Sequence, residues 1–251
     1  MNAAPSHAPR IGCAGWSIPT EATAHFPAGS SHLQRYAQVF DAVEINSSFY
    51  RTHRPATYRR WGETVPESFR FSLKVPRTIT HEARLVNCVD LLREFLAGAR
   101  ELGPHLGCLL LQLPPRLAWD GPTARAFLAQ LREQYDGPVA CEPRHTSWFR
   151  GEVEHELATF AVARVAADPA LSLRARVPGG DRRLRYLRLH GAPRVYYDNY
   201  PDPVLERVAR YLQHATRRTE CWCIFDNTAH GHATGNALSL RARLGASRRP
   251  P

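Results

Sequence analysis

Four ionisable residues stand where the sequence could do acid–base chemistry: Lys74, Glu142, His190 and Asp226. Lys74 is the only lysine among 33 Lys and Arg residues. An ammonium group is a compact charge that can hold a phosphate or carboxylate, or act as a base once burial lowers its pKa. Histidine titrates near neutral pH, and carboxyl groups exchange protons when neighbours tune their pKa. These residue types predict proton transfer on a polar, anionic substrate.

Further polar and aromatic residues could hold that substrate. They are Glu44, Asn46, Tyr50, His81, Gln112, Arg144, His145, Trp148, Asp168, Arg188, Tyr200 and Asn227. A carboxylate, a guanidinium and an aromatic ring, as in Glu142, Arg144 and Trp148, suit a sugar, phosphate or nucleotide-like substrate. The alternative is structural: Arg144 pairs with Glu142, and Trp148 is buried. Lys74 could likewise form only a salt bridge, to Glu44 or Glu142.

Eight short apolar segments must position these residues. They span 10–15, 42–46, 69–75, 107–113, 138–142, 162–167, 184–190 and 220–226. Because side chains alternate between the two faces of a strand, Val43 and Ile45 share one face and Glu44 lies on the other. The same alternation predicts a polar end, pointing inward, for seven of the strands. The residues at these ends are Glu44 with Asn46, Lys74, Gln112, Glu142, Asp168, Arg188 with His190, and Asp226. Barrel enzymes carry their active sites at this end.

Amphipathic segments separate the strands, most clearly at 88–102, 121–134 and 202–214. This alternation predicts an α/β fold, a TIM-barrel-like (β/α)8 arrangement with a closed parallel sheet. The interval 168–183 is rich in Pro and Gly, so the helix after strand six is expected to be short or missing. We expect one domain over 10–244, with disordered tails at 1–9 and 245–251. No GxGxxG or GxxxxGK[ST] motif follows a strand, which argues against the nucleotide-binding alternatives.

Composition indicates which partners the protein binds and in which cellular compartment it is found. The formal net charge of +10 favours anionic partners, which include phosphates, acidic metabolites and nucleic acid. Six cysteines form no CxxC pair and lie mostly in apolar runs, which is typical of buried, reduced thiols. The N-terminus lacks the apolar stretch of a signal peptide, and no apolar run is long enough to span a bilayer. We therefore expect a cytoplasmic protein without a membrane partner; its oligomeric state is open.

Three functions stay open from the residues alone. The first is an enzyme of the hydrolase or isomerase kind. The second is a protein that binds nucleic acid or processes phosphodiesters, with Tyr50, Trp148, Tyr197 and Tyr200 as stacking surfaces. The third is a small-molecule binding protein without turnover. A metal is the less favoured cofactor. Glu142, Asp168, His190 and Asp226 could supply ligands, but no HxH or HExxH spacing exists and the neighbouring cations oppose it.

Eight ordered motifs give the chain a family resemblance. They are GCAGW at 12–16, VEINSSFY at 43–50, FRF at 69–71 with Lys74, ITH at 79–81, LQLPP at 111–115, EPRHTSW at 142–148, RLHG at 188–191, and FDN at 225–227 with NA at 236–237. Together they resemble the YecE-like family, the domain of unknown function numbered 72, over roughly residues 10–242. The resemblance implies a TIM-barrel-like fold and no settled activity. The family's usual Thr and Ser are replaced by Cys13 and Ala14, which removes two hydroxyl groups that could contact a ligand. Asp226 stands where Asn is common.

Overall fold

A computed structural model describes residues 8–215 and 219–246, in which strands and helices alternate. The strands are β1 (Arg10–Cys13), β2 (Ala42–Ile45), β3 (Arg70–Lys74), β4 (Leu106–Gln112), β5 (Val139–Glu142), β6 (Val162–Arg164), β7 (Ala166–Asp168), β8 (Gly179–Gly180), β9 (Leu184–Leu189) and β10 (Glu220–Phe225). The α-helices are α1 (His32–Ala37), α2 (Pro55–Thr64), α3 (Val89–Ala99), α4 (Gly121–Gln134), α5 (Gly151–Thr159), α6 (Asp202–Ala215) and α7 (His232–Ala246).

The strands form two sheets, with the orders β1-β10-β9-β7 and β2-β3-β4-β5-β6-β8. Every pair of neighbours is parallel except β6 and β8, which run antiparallel. All eight predicted strands are present. The sixth is divided around Val165 into β6 and β7, which belong to different sheets. The prediction of a wholly parallel sheet is wrong at β8, where two glycines form a short return strand that the sequence pattern does not signal.

The helices cover one side of the sheets. In α4, Ala124, Phe127, Leu128 and Leu131 are buried, at the three- and four-residue spacing of an amphipathic helix. The predicted helix over 88–102 ends earlier, at Ala99, and a 3-10 segment over Arg100–His105 follows. Gly103 adopts a φ of +56° inside that segment, which breaks the α-helical path. Between β7 and β9 the only helical segment is a 3-10 turn over Arg174–Arg176, so the expectation of a short helix there is confirmed.

Side chains of the strands divide between two faces. The inner face carries a buried apolar cluster that strands of both sheets share: Ala42, Cys108, Leu110, Ala140, Ala163, Val165, Leu184, Tyr186, Trp222 and Ile224. The outer face packs against the helices in a larger cluster that includes Val43, Ile45, Leu109 and Leu111. This division confirms the predicted alternation for these strands, and it leaves their polar end residues on the inner face.

The sixth predicted strand is the exception. Ala163 and Val165 lie on the inner face, whereas Ala166 belongs to the outer cluster. Asp168 is therefore in phase with the outer face, where its carboxylate accepts a hydrogen bond of 2.8 Å from the hydroxyl of Tyr200. The predicted inward direction of Asp168 is wrong. Asp168 shares its phase with Arg164, which pairs with Glu154 of α5 on the outer face. The polar phase of this strand therefore faces outward, opposite to the rule that the other strands follow.

The ends of the predicted domain can be compared only in part. β1 begins at Arg10 as expected, while α7 continues to Ala246, beyond the predicted boundary at residue 244. The remainder of the predicted tails, 1–7 and 247–251, lies outside the described residues. Within the part of the chain that the structure describes, no helix is both long and apolar enough to cross a membrane. All six cysteines are buried free thiols, as expected.

Candidate functional site

Seven polar side chains meet on the inner face at the carboxyl ends of the strands. They are Glu44, Lys74, Gln112, Glu142, Arg188, His190 and Asp226, and we call them the strand-end cluster. All seven are buried. Parallel strands bring their carboxyl ends to the same edge, which is why residues far apart in sequence converge here. The structure thus brings these seven side chains to one edge of the strands.

Arg188 is the centre of the cluster. Its guanidinium donates to both carboxylate oxygens of Glu44, with an Nη2–Oε1 distance of 2.6 Å and an Nε–Oε2 distance of 3.0 Å. Nη1 lies 3.0 Å from Oε2 of Glu142, and Nη2 lies 3.0 Å from Oδ2 of Asp226. Nη1 also lies 3.3 Å from Oε1 of Gln112. A buried guanidinium needs such multiple partners, because an unpaired one would be strongly disfavoured.

Tyr186 adds a hydrogen bond to Glu44 and also contacts Ser72; both residues are absent from the predicted site. The hydroxyl of Tyr186 lies 3.0 Å from Oε2 of Glu44 and 2.8 Å from Oγ of Ser72. Tyr186 precedes Arg188 by two residues on β9, so strand alternation alone could have placed it on the same face. Its ring stacks on Trp222 at 5.9 Å between centroids, which anchors the charged cluster to the apolar one beneath it.

His190 bridges two carboxylates. Its Nδ1 lies 2.9 Å from Oδ2 of Asp226, and its Nε2 lies 3.1 Å from Oε1 of Glu142. Burial lowers the pKa of the imidazole, but the charge of Glu142 and the hydrogen bonds to both carboxylates outweigh it and raise the pKa above 6.5. Burial likewise opposes ionisation of Glu142, yet Arg188 and His190 hold its pKa well below 4.5. The same two cations lower the pKa of Asp226 against the effect of burial. Below the raised pKa of His190, the trio is an imidazolium between two carboxylates.

Lys74 has a different environment. Its Nζ donates to Oδ1 of Asn46 at 3.0 Å and lies 4.1 Å from the centroid of the Phe49 ring. The residue is only 5% exposed. Among residues 8–215 and 219–246, no carboxylate forms an ion pair with it, since Glu44 and Glu142 pair with Arg188 instead. The alternative of a salt bridge to Glu44 or Glu142 is therefore not observed.

The pKa of Lys74 reflects that environment. Burial and the nearby charge of Arg188 lower it from 10.5 to about 8, although the carboxylates of the cluster counteract them. His81, in the turn after β3, packs edge-on against Phe49, and its Nδ1 lies 2.8 Å from Oγ1 of Thr80. Burial and the charge of Lys74 lower the pKa of His81. Lys74 is thus an ammonium whose neighbours are an amide, aromatic rings and a neutral imidazole.

Arg144 extends the cluster toward solvent. Its guanidinium pairs with Glu142 at 3.0 Å, and its Nη2 lies 3.4 Å from Nε2 of His190. Burial lowers the pKa of Arg144, but the charge of Glu142 and interactions with Tyr196 outweigh it, so the pKa is raised. Tyr196 also packs edge-on against His190, at 5.8 Å between ring centroids. Its backbone adopts a φ of +71°, an uncommon conformation for tyrosine that tends to occur at functional sites.

The charges of this region do not cancel. The anions are Glu44, Glu142 and Asp226, and the cations are Lys74, Arg144, Arg188 and His190. When all are ionised, one positive charge exceeds the negative ones. The excess lies on Lys74, the one cation of this set that has no carboxylate partner in the described structure. One bound anion would balance the region.

Several residues expected at the site serve other purposes. The hydroxyl of Tyr200, besides binding Asp168, accepts a hydrogen bond of 2.8 Å from the amide of Gly191, and Tyr200 is 2% exposed. Asn227 is buried and donates to the carbonyl of Asp198 and to Oδ1 of Asn236. The structure therefore uses Asp168, Tyr200 and Asn227 to hold the loop after β9.

The loop after β5 is held in a similar way. Trp148 is 2% exposed, donates from Nε1 to the carbonyl of Leu117, and packs edge-on against Trp119. The Nδ1 of His145 lies 2.8 Å from Oγ of Ser147 and accepts from the amide of Ser147 at 3.3 Å. Trp148 and Tyr200 are thus buried, while Tyr50, 68% exposed beside Phe49, is open for stacking. The nucleic-acid alternative stays a prediction, with fewer exposed aromatic rings than the sequence offered.

A metal could be held only by groups that converge. Within residues 8–215 and 219–246, no three His, Cys, Asp or Glu side chains are grouped so that they could hold a metal ion. Of the proposed ligands, Asp168 lies on the outer face, and the carboxylates of Glu142 and Asp226 already contact Arg188. The donor set that the sequence suggests is therefore not assembled.

The fold and the cluster define an α/β protein of mostly parallel strands with polar groups at their carboxyl ends. The chain belongs to the DUF72 family: the family model, described as "Protein of unknown function DUF72", matches residues 10–251. It is 37% identical over 152 residues to UPF0759 protein YecE of Escherichia coli K12, a match that covers 59% of this chain and 53% of YecE. The matched part thus spans about half the length of that relative.

Two further comparisons extend over nearly the whole chain. UPF0759 protein YunF of Bacillus subtilis 168 is 24% identical over 261 residues, with 92% of each chain covered. A crystal structure of a DUF72 family protein from Enterococcus faecalis V583 superposes with a TM-score of 0.81 at 21% identity, over 95% of this chain and 96% of that one. A DUF72 protein of Thermotoga maritima MSB8 gives 0.78 at 23% identity, over 95% and 100%. At this identity the structures support the fold alone.

Proposed function

We propose that the chain is an enzyme that uses acid–base chemistry at the strand-end cluster on a small, polar, anionic substrate. The observation that carries the proposal is the environment of Lys74, a buried ammonium that binds an amide and an aromatic ring while the adjacent carboxylates bind Arg188. A buried charge is costly unless an opposite charge compensates it. The anionic group of a substrate is the missing counter-charge.

Two residues of the cluster have pKa values moved in opposite directions. The pKa of Lys74 is lowered to about 8, and that of His190 is raised above 6.5. Imidazole can donate and accept protons near neutral pH. We assign Lys74 as the anion-binding group and His190 as the acid–base residue. Glu142 and Asp226, expected as catalytic, act by holding the imidazolium.

The substrate class follows from the same groups. A phosphate or carboxylate of a sugar, phosphate ester or nucleotide-like compound offers the anion that Lys74 and Arg144 would bind. Hydrolysis and isomerisation both need a proton to be donated and a proton to be removed. His190 can do both in turn, as imidazolium and then as imidazole.

We also infer that the two sheets close into one (β/α)8 barrel, with the strand-end cluster at its mouth. Three contacts near the free edges of β1 and β2 support closure. Ala14 forms a bridge with Glu44, and the amide of Gly15 donates to the carbonyl of Glu44 at 2.9 Å. The hydroxyl of Tyr36 accepts from the amide of Cys13 at 2.8 Å and donates to the carbonyl of Ala42 at 3.1 Å.

Gly12 permits the close approach of these two edges. A Cβ atom at this position would lie 2.0 Å from the carbonyl oxygen of Ala42, a distance no real side chain allows. On the opposite side, β6 and β7 are separated only by Val165, whose amide donates to the carbonyl of Cys141 at 2.8 Å. One continuous segment therefore passes from one sheet to the other.

The single lysine makes the functional proposal directly testable. Protein labelled with [13C]lysine gives one side-chain signal, and its pH titration reports the pKa of Lys74. We expect a pKa near 8 that rises when inorganic phosphate is added, because a bound anion stabilises the ammonium. Calorimetric phosphate binding should be lost in Lys74→Met. It should persist in Arg59→Met, which removes one positive charge from an exposed pair with Glu101.

The outcomes separate an enzyme from a non-catalytic binding protein. A Lys74 that titrates near 10.5 without binding phosphate contradicts the proposal. Turnover is followed by 1H and 31P NMR in D2O on a panel of sugar phosphates and phosphate esters. We expect conversion or proton exchange that Lys74→Met and His190→Gln abolish while both variants remain folded. Saturable phosphate binding with no change in any compound would instead make the chain a non-catalytic binding protein.

A further inference from the structure

A cavity of about 240 Å³ opens beside the strand-end cluster. Its polar end is formed by Glu142, Arg144 and His190. The nine other residues that line it are apolar, and they include Phe149, Val165 and Ala167 on its walls. The cavity thus combines a charged end with apolar walls in a small volume. None of the residues that form its walls is used by the acid–base chemistry proposed above.

The orientation of the sixth predicted strand explains why space exists here. Val165 and Ala167 occupy the inner positions, while the charged side chain of Asp168 is held on the outer face by Tyr200. On the neighbouring strands, Arg188 is the register partner of Ala167, and Glu142 follows Cys141, the partner of Arg164. Small apolar side chains beside long polar ones leave a gap at one side of the cluster, and the side chains of its walls are apolar.

We propose that this cavity binds the apolar part of a small amphipathic anion, a ring or branched chain whose phosphate or carboxylate lies beside Arg144 at the polar end. A dry cavity of about 150 Å³ accommodates benzene, so 240 Å³ suffices for a six-membered ring with a substituent. The excess positive charge of the region matches one anionic group. The proposal rests on the proposed function for the anion, and it adds an apolar requirement that a sugar phosphate does not meet.

The loop after β7 supplies a matched pair of residues for testing the cavity. Leu171 lines the cavity and is 51% exposed, whereas Leu173 is 78% exposed and is not among the lining residues. Both are exposed enough that Asp at either position should leave the fold intact. Leu171→Asp adds a negative charge to the apolar wall, and Leu173→Asp adds the same charge two residues away.

The experiment compares phenyl phosphate, methyl phosphate and benzyl alcohol by isothermal titration calorimetry on the full chain. We expect phenyl phosphate to bind at least tenfold more tightly than methyl phosphate, because each CH₂-sized apolar group that is buried strengthens binding several-fold. Leu171→Asp should weaken phenyl phosphate at least fivefold, and Leu173→Asp should leave its affinity unchanged. Ala167→Leu, which fills the cavity, should remove the preference for the phenyl group while methyl phosphate still binds.

The other possible outcomes contradict either the apolar requirement, the anionic requirement or the proposed function. Equal affinities for phenyl and methyl phosphate, both lost in Lys74→Met, overturn the apolar requirement and leave the proposed function standing. Benzyl alcohol that binds as tightly as phenyl phosphate shows an apolar site without an anion and overturns the amphipathic ligand. No binding of either phosphate ester overturns both proposals. Equal effects of Leu171→Asp and Leu173→Asp show that the charge acts at long range and not through the cavity.

Discussion

Arg188 and Glu44 form a two-point ion pair in which neither side chain is exposed, with Nη2–Oε1 at 2.6 Å and Nε–Oε2 at 3.0 Å. Breaking a buried pair leaves an uncompensated charge, so Glu44→Gln should lower the free energy of unfolding by about 3–5 kcal/mol. Urea denaturation measures this. The exposed pair between Arg59 and Glu101 is the control, and Glu101→Gln should cost less than about 1 kcal/mol. Equal costs for the two variants would show that burial does not set the strength of the pair.

His190 should make stability depend on pH. Its folded-state pKa is raised above 6.5 by Glu142 and Asp226, so the folded state holds the proton more tightly than the unfolded state. That contribution is complete below pH 6.5 and is lost as pH rises through the raised pKa. The wild type should therefore lose stability relative to His190→Gln as pH rises above 6.5. Denaturation at intervals across this range checks the sign; a difference that grows with pH would contradict the assignment of an imidazolium.

Much of this site could be predicted from the sequence, and the remainder shows where strand patterns fail. Alternation placed Lys74 and Arg188 on the inner face because their strands have an apolar side and a polar side. It failed at Asp168, because the polar side of that strand, which also holds Arg164, faces the helices. Strand patterns also do not predict which side chains pair. The guanidinium of Arg188 is long enough to contact three carboxylates, including that of Glu44, so Lys74 binds Asn46 instead. Side-chain reach, unlike strand phase, depends on tertiary distances.

Lys74 should cost the protein stability at neutral pH. Its pKa of about 8 in the folded state, against 10.5 when exposed, means that folding disfavours the ammonium. The penalty is complete below pH 8, shrinks as pH rises and disappears above 10.5. Lys74→Met should therefore raise the free energy of unfolding at pH 7 by about 2 kcal/mol, with a smaller gain at pH 10. Arg59→Met should show no such pH-dependent gain, and a destabilised Lys74→Met would mean that its contacts with Asn46 and Phe49 outweigh burial.

Tyr200 should affect stability without affecting anion binding. Its hydroxyl connects the carboxylate of Asp168 to the amide of Gly191, each at 2.8 Å. Tyr200→Phe leaves both groups without this partner and should lower the free energy of unfolding by about 1–3 kcal/mol. Phosphate affinity, measured by calorimetry below the unfolding transition, should stay within twofold of the wild type. A large loss of phosphate affinity at unchanged stability would show that Tyr200 and Asp168 contribute to ligand binding, as the sequence predicts.

Tyr36 should control how firmly the edges of β1 and β2 are joined. Its hydroxyl accepts from the amide of Cys13 and donates to the carbonyl of Ala42, and Gly12 brings the two strands close enough for both bonds. Tyr36→Phe keeps the buried ring and removes both bonds. It should lower the free energy of unfolding, measured by urea denaturation, by about 1–3 kcal/mol. It should also increase hydrogen exchange at the Cys13 amide.

A buried tyrosine away from this edge is the control for Tyr36. The hydroxyl of Tyr58 is buried without a hydrogen-bond partner among the described residues. Tyr58→Phe should therefore cost little and leave exchange at Cys13 unchanged. If Tyr36→Phe raises exchange along β1 and β2 while strands β4 and β5 stay protected, the bonds made by Tyr36 are what hold the two sheets together. If exchange rises uniformly, the edges are held by packing and the hydroxyl of Tyr36 contributes only to overall stability.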